Sequence, residues 1–500
     1  MLSVLIWVPL LVAGLIAFLP NISAKTARQI SLIIAGGLFL WSLVLAGLFD
    51  PSNPSLQFKE YLPWIKPLGL NYYLGVDGLS LPLVILNGLL ITIAIASSDI
   101  AMSRHQLYYS SILLIGAGIA GTFLSQNLLL FLLFYEVELI PLYLLIAIWG
   151  GKNKGYAATK FLLYTAVSGL LILASFLGIV WLTHTVDFDL DTISATALGV
   201  SSLPLTTQLI LLGGLLIGFG IKIPLVPFHT WLPDAHVEAS TPVSVLLAGV
   251  LLKLGTYGLL RFGVGLFPDA WLVVSPWMAS WAVVTVLYGA FCAIYQKDMK
   301  KMVAYSSIAH MGYILLGFAA ANSTSLLGSV MQMVSHGLIS GLMFLTVGVV
   351  YRKAGSRDLD VIQGLLNPER GLPLIGSIMI LAVMASAGIP GLVGFVAEFI
   401  IFRGSMDVFP VQTLLCMVGT GLTSVYFLIM MNKAFFGRLS EYVVNLPPVQ
   451  WRDRIPAIIL ALIIMLLGIQ PNLMVRLSDA STTALAHTQP LFANHLAQKP

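Results

Sequence analysis

Fourteen runs of continuously apolar residues, parted by short polar connections, limit what this chain can fold into more than any other feature. They fall near 2–19, 27–49, 76–97, 107–124, 127–149, 156–183, 205–226, 240–262, 270–294, 302–320, 323–350, 371–402, 409–436 and 455–471. A helix needs about 20 apolar residues to cross the hydrocarbon of a bilayer. Only a helix or a closed barrel pairs all its backbone groups there. The runs are continuous rather than alternating, which excludes a transmembrane β-barrel. Charged residues make up 9% of the 500, where a soluble chain carries roughly a quarter. The 25 Lys and Arg against 21 Asp and Glu leave a net charge of +4, too sparse for a phosphate-binding surface. The expected fold is all-α, a polytopic membrane protein of about fourteen transmembrane helices in a single membrane domain, 1–500.

No soluble domain fits between the runs. The longest connections are about 50–75, 184–204, 351–370, 437–454 and the tail after 471. Leu2 to Leu19 lacks a basic segment before it and a small-residue cleavage site after it, so it reads as a retained first helix. The two cysteines, Cys292 and Cys416, lie inside apolar runs and read as small core residues. Two are too few for a four-thiolate iron–sulfur cluster.

Basic residues set the orientation. Connections after odd-numbered helices and their flanks hold seventeen, among them Lys160, Lys300 and Arg370. The other side holds six: Lys59, Lys66, Arg261, Arg403, Arg476 and Lys499. The richer face is expected to be cytoplasmic, with both termini opposite. Two lysines remain, Lys222 and Lys253, and both fall inside apolar runs, as do Glu136, Glu138 and Glu398. A charge at mid-bilayer costs about 2.5–3.5 kcal/mol on the insertion scale and usually marks an ion or proton route.

Two runs also look broken. Gly218-Phe-Gly-Ile-Lys-Ile-Pro-Leu-Val-Pro227 and Ser386-Ala-Gly-Ile-Pro-Gly391 place prolines and glycines where helix interiors exclude them. Broken backbone at membrane depth is tolerated when buried in protein or lining a wet cavity. The breaks lie five helices apart, and an odd number per repeat inverts the second copy. Inverted five-helix repeats are therefore expected at 105–262 and 270–436, with 437–500 as loop, last helix and tail. Glu398 lies eight residues past Pro390, about 12 Å of helix from the second break.

The buried set suits proton transfer. Lys222 stands beside a break, and a lysine–glutamate pair there would change protonation with small changes in geometry. Glu136 and Glu138, two apart on a helix, point to different sides and are not expected to share one partner. Lys253 is too far from either end of its helix to reach water. His229 and His236 flank Trp231-Leu-Pro-Asp234, and His310 and His336 lie in or beside apolar helices. A lone buried histidine is as often a core residue as a relay; as a set they suit a relay, since imidazole both accepts and donates near neutral pH. No two histidines repeat at haem-ligating spacing, and His236-Val-Glu238 lacks the P-C-x-x-C of zinc deaminases. No P-loop, G-x-S-x-G or H-E-x-x-H is present. The chain is expected to hold no metal, cofactor or redox site of its own.

Lys222-Ile-Pro-Leu-Val-Pro-Phe-His-Thr-Trp-Leu-Pro-Asp-Ala-His236 followed by Leu246-Leu-Ala-Gly-Val-Leu-Leu-Lys253 resembles the antiporter-like proton-pumping subunits of respiratory complex I. Ala304-Tyr-Ser-Ser-Ile-Ala-His-Met-Gly312, Gln332-Met-Val-Ser-His-Gly337 and Gly394-Phe-Val-Ala-Glu398 extend the likeness over most of the chain. Glu398, where a sister subunit would carry lysine, is similar to the chain-4 type, above all that of cyanobacterial and plastid NAD(P)H-quinone oxidoreductases. The resemblance implies that Glu136 and Lys222 form a switching pair, Lys253 a central relay and Glu398 the terminal proton site. His229, His310 and His336 would bridge the path, and Glu138 is outside the family's regular pattern. It also implies a thylakoid membrane, with sister antiporter-like subunits as partners. Quinone, NAD(P)H or ferredoxin and iron–sulfur clusters would sit in other subunits. The Val237–Ser244 stretch departs from the respiratory versions, as in a carbon dioxide-uptake form. Readings from other classes are a subunit of a free-standing multi-subunit cation/proton antiporter and a redox-active quinone- or haem-binding membrane subunit.

Overall fold

Apolar runs in hydrocarbon must close their own backbone hydrogen bonds, and the chain does so as a helical bundle. A computed structural model describes residues 1–100, 102–195, 199–368, 372–438, 440–444 and 449–489. Arg370 and Lys499, used for the orientation, lie outside them. Among the described residues ten helices are long and apolar enough to span a membrane: Ala24–Leu48, His105–Leu124, Leu128–Trp149, Lys154–Thr183, Leu205–Lys222, Thr241–Val264, Pro268–Ile294, Met299–Ala320, Ser323–Ala354 and Pro410–Phe435. Three shorter apolar helices, Val4–Phe18, Leu81–Ser97 and Pro373–Ser386, and a pair bent by 66°, Asp453–Ile469 with Asn472–His487, complete the expected segments.

Three features depart from the expectation. The connection near 50–75 is not loop but an antiparallel hairpin, Gln57–Ile65 with Leu70–Val76, so the all-helical bundle carries one small sheet. The segment 231–238 forms a helix, Trp231–Glu238, and the tail after 471 forms the amphipathic helix Asn472–His487. The hairpin caps the face opposite the basic one. Its turn residue Gly69 has φ 63°, and an added Cβ would lie 2.8 Å from Asp187 Cα, so the site needs glycine for space and conformation alike. There Asp189 accepts from Asn71 Nδ2 at 2.8 Å and Asn127 Nδ2 at 2.7 Å, while burial pushes its carboxyl above the usual range.

The bundle is layered by exposure. Thr241–Val264 and Ser323–Ala354 are buried along their whole apolar stretch, and Met299–Ala320 nearly so. These shielded helices carry Lys253, His336 and His310. Outer helices present Trp181 and Trp277, each 78% exposed, to the surroundings. The expected charge of the connections holds in outline, with two exceptions. Arg261 is not in a connection: its Nη2 makes a 2.7 Å ion pair with Asp77, and both residues are largely buried. Lys300, counted with the basic face, is 5% exposed.

Candidate functional site

Both expected breaks form, and their chemistry explains them. The first helix stops at Lys222, after which Pro224 and Pro227 withhold N–H groups; Leu225 N reaches back to Gly220 O at 2.8 Å. The second stops at Ser386, turns through Gly388 (φ 71°) and Gly391 (φ 92°), and restarts as Val393–Met406. A third, unexpected interruption lies at Glu138. Pro141 cannot give Val137 O its i+4 hydrogen bond, and the helix divides into Leu128–Val137 and Leu139–Trp149.

The ion pair at this interruption differs from the one the resemblance implies. Lys222 Nζ forms its ion pair with Glu138, not with Glu136, and both partners are fully buried. Lys222 also lies 4.6 Å from the centre of the Tyr135 ring, whose hydroxyl meets Ser168 Oγ at 3.1 Å. Glu136 Oε1 is buried without a hydrogen-bond partner, and its carboxylate rests against Gly169 of the next helix. A Cβ at Gly169 would overlap that carboxylate. Gly169→Ala is therefore expected to displace Glu136 and slow any transfer through it while the helix itself tolerates alanine. Proton-uptake rates at equal protein abundance check this, and an unchanged rate would separate Glu136 from the path.

Lys253 lies between two π-helical turns, Leu247–Leu251 and Leu259–Val264. Such turns are uncommon and often mark functional sites. Its Nζ donates to Ala248 O at 2.6 Å and lies 2.8 Å from His336 Nδ1. The ring centres of His336 and His310 are 5.6 Å apart. His310 Nε2 meets Ser386 Oγ, the last residue before the second break, at 2.9 Å. Its Nδ1 lies 3.3 Å from Gln332 Nε2 and 3.3 Å from Glu398 Oε1. Glu398 Oε2 accepts from Thr420 Oγ1 at 3.1 Å. Glu398 is also nearer the break than its eight-residue separation implied. The chain folds back there, and a Cβ at Gly388 would lie 3.5 Å from Glu398 Oε2.

Lys253, His336, His310 and Glu398 thus form one buried line. Lys222 joins its near end by packing: a Cβ on Gly255 of the Lys253 helix would lie 3.2 Å from Lys222 Cβ. His229 is not on the line. Its ring stands edge-on to Tyr288 at 4.9 Å, beside Tyr305 at 6.4 Å. Sequence reasoning passed over Gln332, Ser386, Thr420, Tyr135 and Ser168, neutral polar groups that apolar runs contain for many reasons. Gln332 had a signal, lying in the Gln332–Gly337 motif with His336.

The fold and this line define a class: a multi-pass helical membrane protein whose paired broken helices flank a buried row of ionisable side chains. Residues 125–423 match the family model described as NADH:quinone oxidoreductase/Mrp antiporter, TM, and the chain belongs to that family. Similar curated proteins are NAD(P)H-quinone oxidoreductase chain 4 of Nostoc sp., 39% identical over all of this chain and 94% of the relative, and chain 4 of Thermosynechococcus vestitus, 40% identical over 97% and 91%. A chain of respiratory complex I from Thermus thermophilus with bound NADH superposes with TM-score 0.87 at 25% identity, covering 98% of this chain and 99% of that one. A chain of the Mrp complex from Dietzia sp. superposes equally well, TM-score 0.87 at 20% identity over 98% and 99%, and so shares the fold.

Proposed function

We propose that this chain is a proton-translocating membrane subunit of a type-I NAD(P)H (or ferredoxin)–plastoquinone oxidoreductase. The observation that carries the reading is the unbroken buried sequence of contacts Lys253–His336–His310–Glu398. An amine stands at one end, a carboxylate at the other and two imidazoles between them, groups that each accept and release a proton and so suit stepwise transfer. The Glu138–Lys222 pair closes the near end and acts as the switch, with Glu136 as the unpaired acid beside it. Among the described residues no side-chain hydrogen bond joins Lys222 to Lys253, so transfer between them goes through water. Electron transfer in partner subunits, which hold the quinone, NAD(P)H or ferredoxin and iron–sulfur sites, drives the rearrangement. The paired breaks support two inverted repeats, 105–262 and 270–436.

A free-standing cation/proton antiporter remains the second reading, favoured by the fold shared with the Mrp complex. Co-purification separates the two. A hydrophilic arm with iron–sulfur clusters is expected to accompany this chain, and its absence from an intact, pumping assembly would favour the antiporter. An optical spectrum of the isolated chain tests the redox-subunit reading, for which a Soret band would be the positive result. The cyanobacterial relatives support a thylakoid membrane, and the excess of basic residues in the odd-numbered connections supports both termini on the lumenal side. A cytoplasm-only reporter fused after Pro500 is expected to be silent; a signal would invert the topology.

A further inference from the structure

On the basic face a cavity of about 460 Å³ opens among the ends of several elements, its walls including Lys152, Glu238, Ser240, Lys300, Arg352 and Arg357. Two of these cations are neutralised locally: Arg352 by Asp453 at 2.9 Å and Arg357 by Asp298 at 2.6 Å. Lys300 is different. It is 5% exposed, and among the described residues its Nζ has one hydrogen bond, to Ala239 O at 2.5 Å. An ammonium has three protons to place, so two are left for water in the cavity. The neighbouring Ser240 hydroxyl is also buried without a partner.

Behind this floor lies His236, fully buried, its ring stacked on Phe344 at 4.4 Å and 7°. Among the described residues neither of its nitrogens has a hydrogen-bond partner. Two unsatisfied nitrogens in one buried ring are costly unless water or a proton visits them. Lys300 bonds Ala239 O at the end of the short helix Trp231–Glu238 that carries His236, and His236 O accepts from Ser244 Oγ at 3.3 Å, early in the Thr241–Val264 span that carries Lys253. The sequence groups His236 with the histidines that as a set suit a relay, and the line described above does not use it.

We propose that this cavity is the mouth through which protons enter the line, with Lys300 as its proton-accepting floor and His236 as the step from Lys300 to Lys253. The inference rests on the proton-translocation reading and supplies its missing inlet. The amine takes a proton from cavity water and passes one through a bridging water to a His236 nitrogen, and the imidazole passes its proton through a second water to Lys253. Each group returns to its starting state, so no other reactant is needed. The charged groups facing Lys300 are Glu238 from the short helix, Arg357 from the 355–362 connection and Asp298 ahead of its own helix.

The test uses the assembled complex in inverted vesicles. Lys300→Met is expected to lower proton uptake at least about tenfold, a lower bound set beneath the roughly 10²–10⁴-fold that a general acid–base group contributes. Lys300→Arg is the decisive companion: arginine keeps the charge and the hydrogen bond to Ala239 O but does not release a proton. Arginine that fails like methionine, at normal abundance, supports transfer through the amine; arginine that restores uptake reduces Lys300 to a structural cation. A second arm avoids folding effects. Tyr351→Cys at the rim, labelled from the cytoplasmic face with a bulky thiol reagent, is expected to slow uptake while the unsubstituted parent is unaffected. Full uptake after complete labelling would overturn the inlet. Lys253→Met serves as control, because silent Lys253→Met beside normal Lys300→Met would leave the function standing and remove only this route.

Discussion

Glu138→Gln is expected to abolish most proton pumping and to lower the amount of assembled protein, whereas Glu136→Gln loses pumping without the assembly defect. The difference follows from who holds Lys222. Glu138 and Lys222 are paired where neither reaches water, and removing one partner of a buried pair typically costs about 3–5 kcal/mol because the other charge is left uncompensated. Glu136 carries an oxygen that already lacks a partner, so its neutral isostere removes a titratable group and no pairing. Lys222→Met is expected to stop pumping as well. The double variant Glu138→Gln/Lys222→Met should recover abundance, since no stranded charge remains, yet stay silent. Quantifying the assembled complex alongside proton uptake yields the coupling between the two sites directly. Normal uptake by Glu138→Gln at wild-type abundance would remove the pair from the mechanism.

Glu398→Gln is expected to reduce uptake by at least about tenfold with the complex intact, a lower bound set beneath the roughly 10²–10⁴-fold that a general acid–base group contributes. Glutamine still accepts from Thr420 and fits the space beside His310, so packing survives and only proton exchange is lost. Glu398→Lys, which imitates the residue of sister subunits, should keep part of the activity. A lysine there can exchange protons with His310 across the gap that the carboxylate now fills, and the break at Gly388 leaves backbone groups nearby to hold water. Wild-type uptake by Glu398→Gln at equal abundance would place the exit elsewhere, nearer Lys253.

The helical segments, both major breaks and the outlying charges were legible because hydrocarbon punishes exceptions. An apolar run of the right length has one backbone solution, and a proline, lysine or glutamate inside it stands out against that background. The hairpin at Gln57–Val76 was not legible: its pairing is made across the chain, and its residues carry no apolar run. The division at Glu138 had a sign in Pro141, three residues on and well inside the expected run 127–149, where a missing N–H interrupts a helix. Lys300 looked like one more basic residue of a connection until neighbouring elements closed over it.

The sequence by itself determined the number and composition of the spans, the two helix breaks and the set of ionisable residues that had to be inside. Each of these depends on local properties, such as length, hydropathy, a missing N–H or a charge without water. The tertiary structure alone decided which of those residues meet. It gave Lys222 to Glu138 rather than Glu136, kept His229 off the line, set His310 between His336 and Glu398, and folded the second break back onto Glu398. A pairing depends on how helices rotate and cross, which side-chain packing over the whole bundle fixes. A shift of two residues along a helix, invisible in composition, turns a side chain through about 200° and changes its partner.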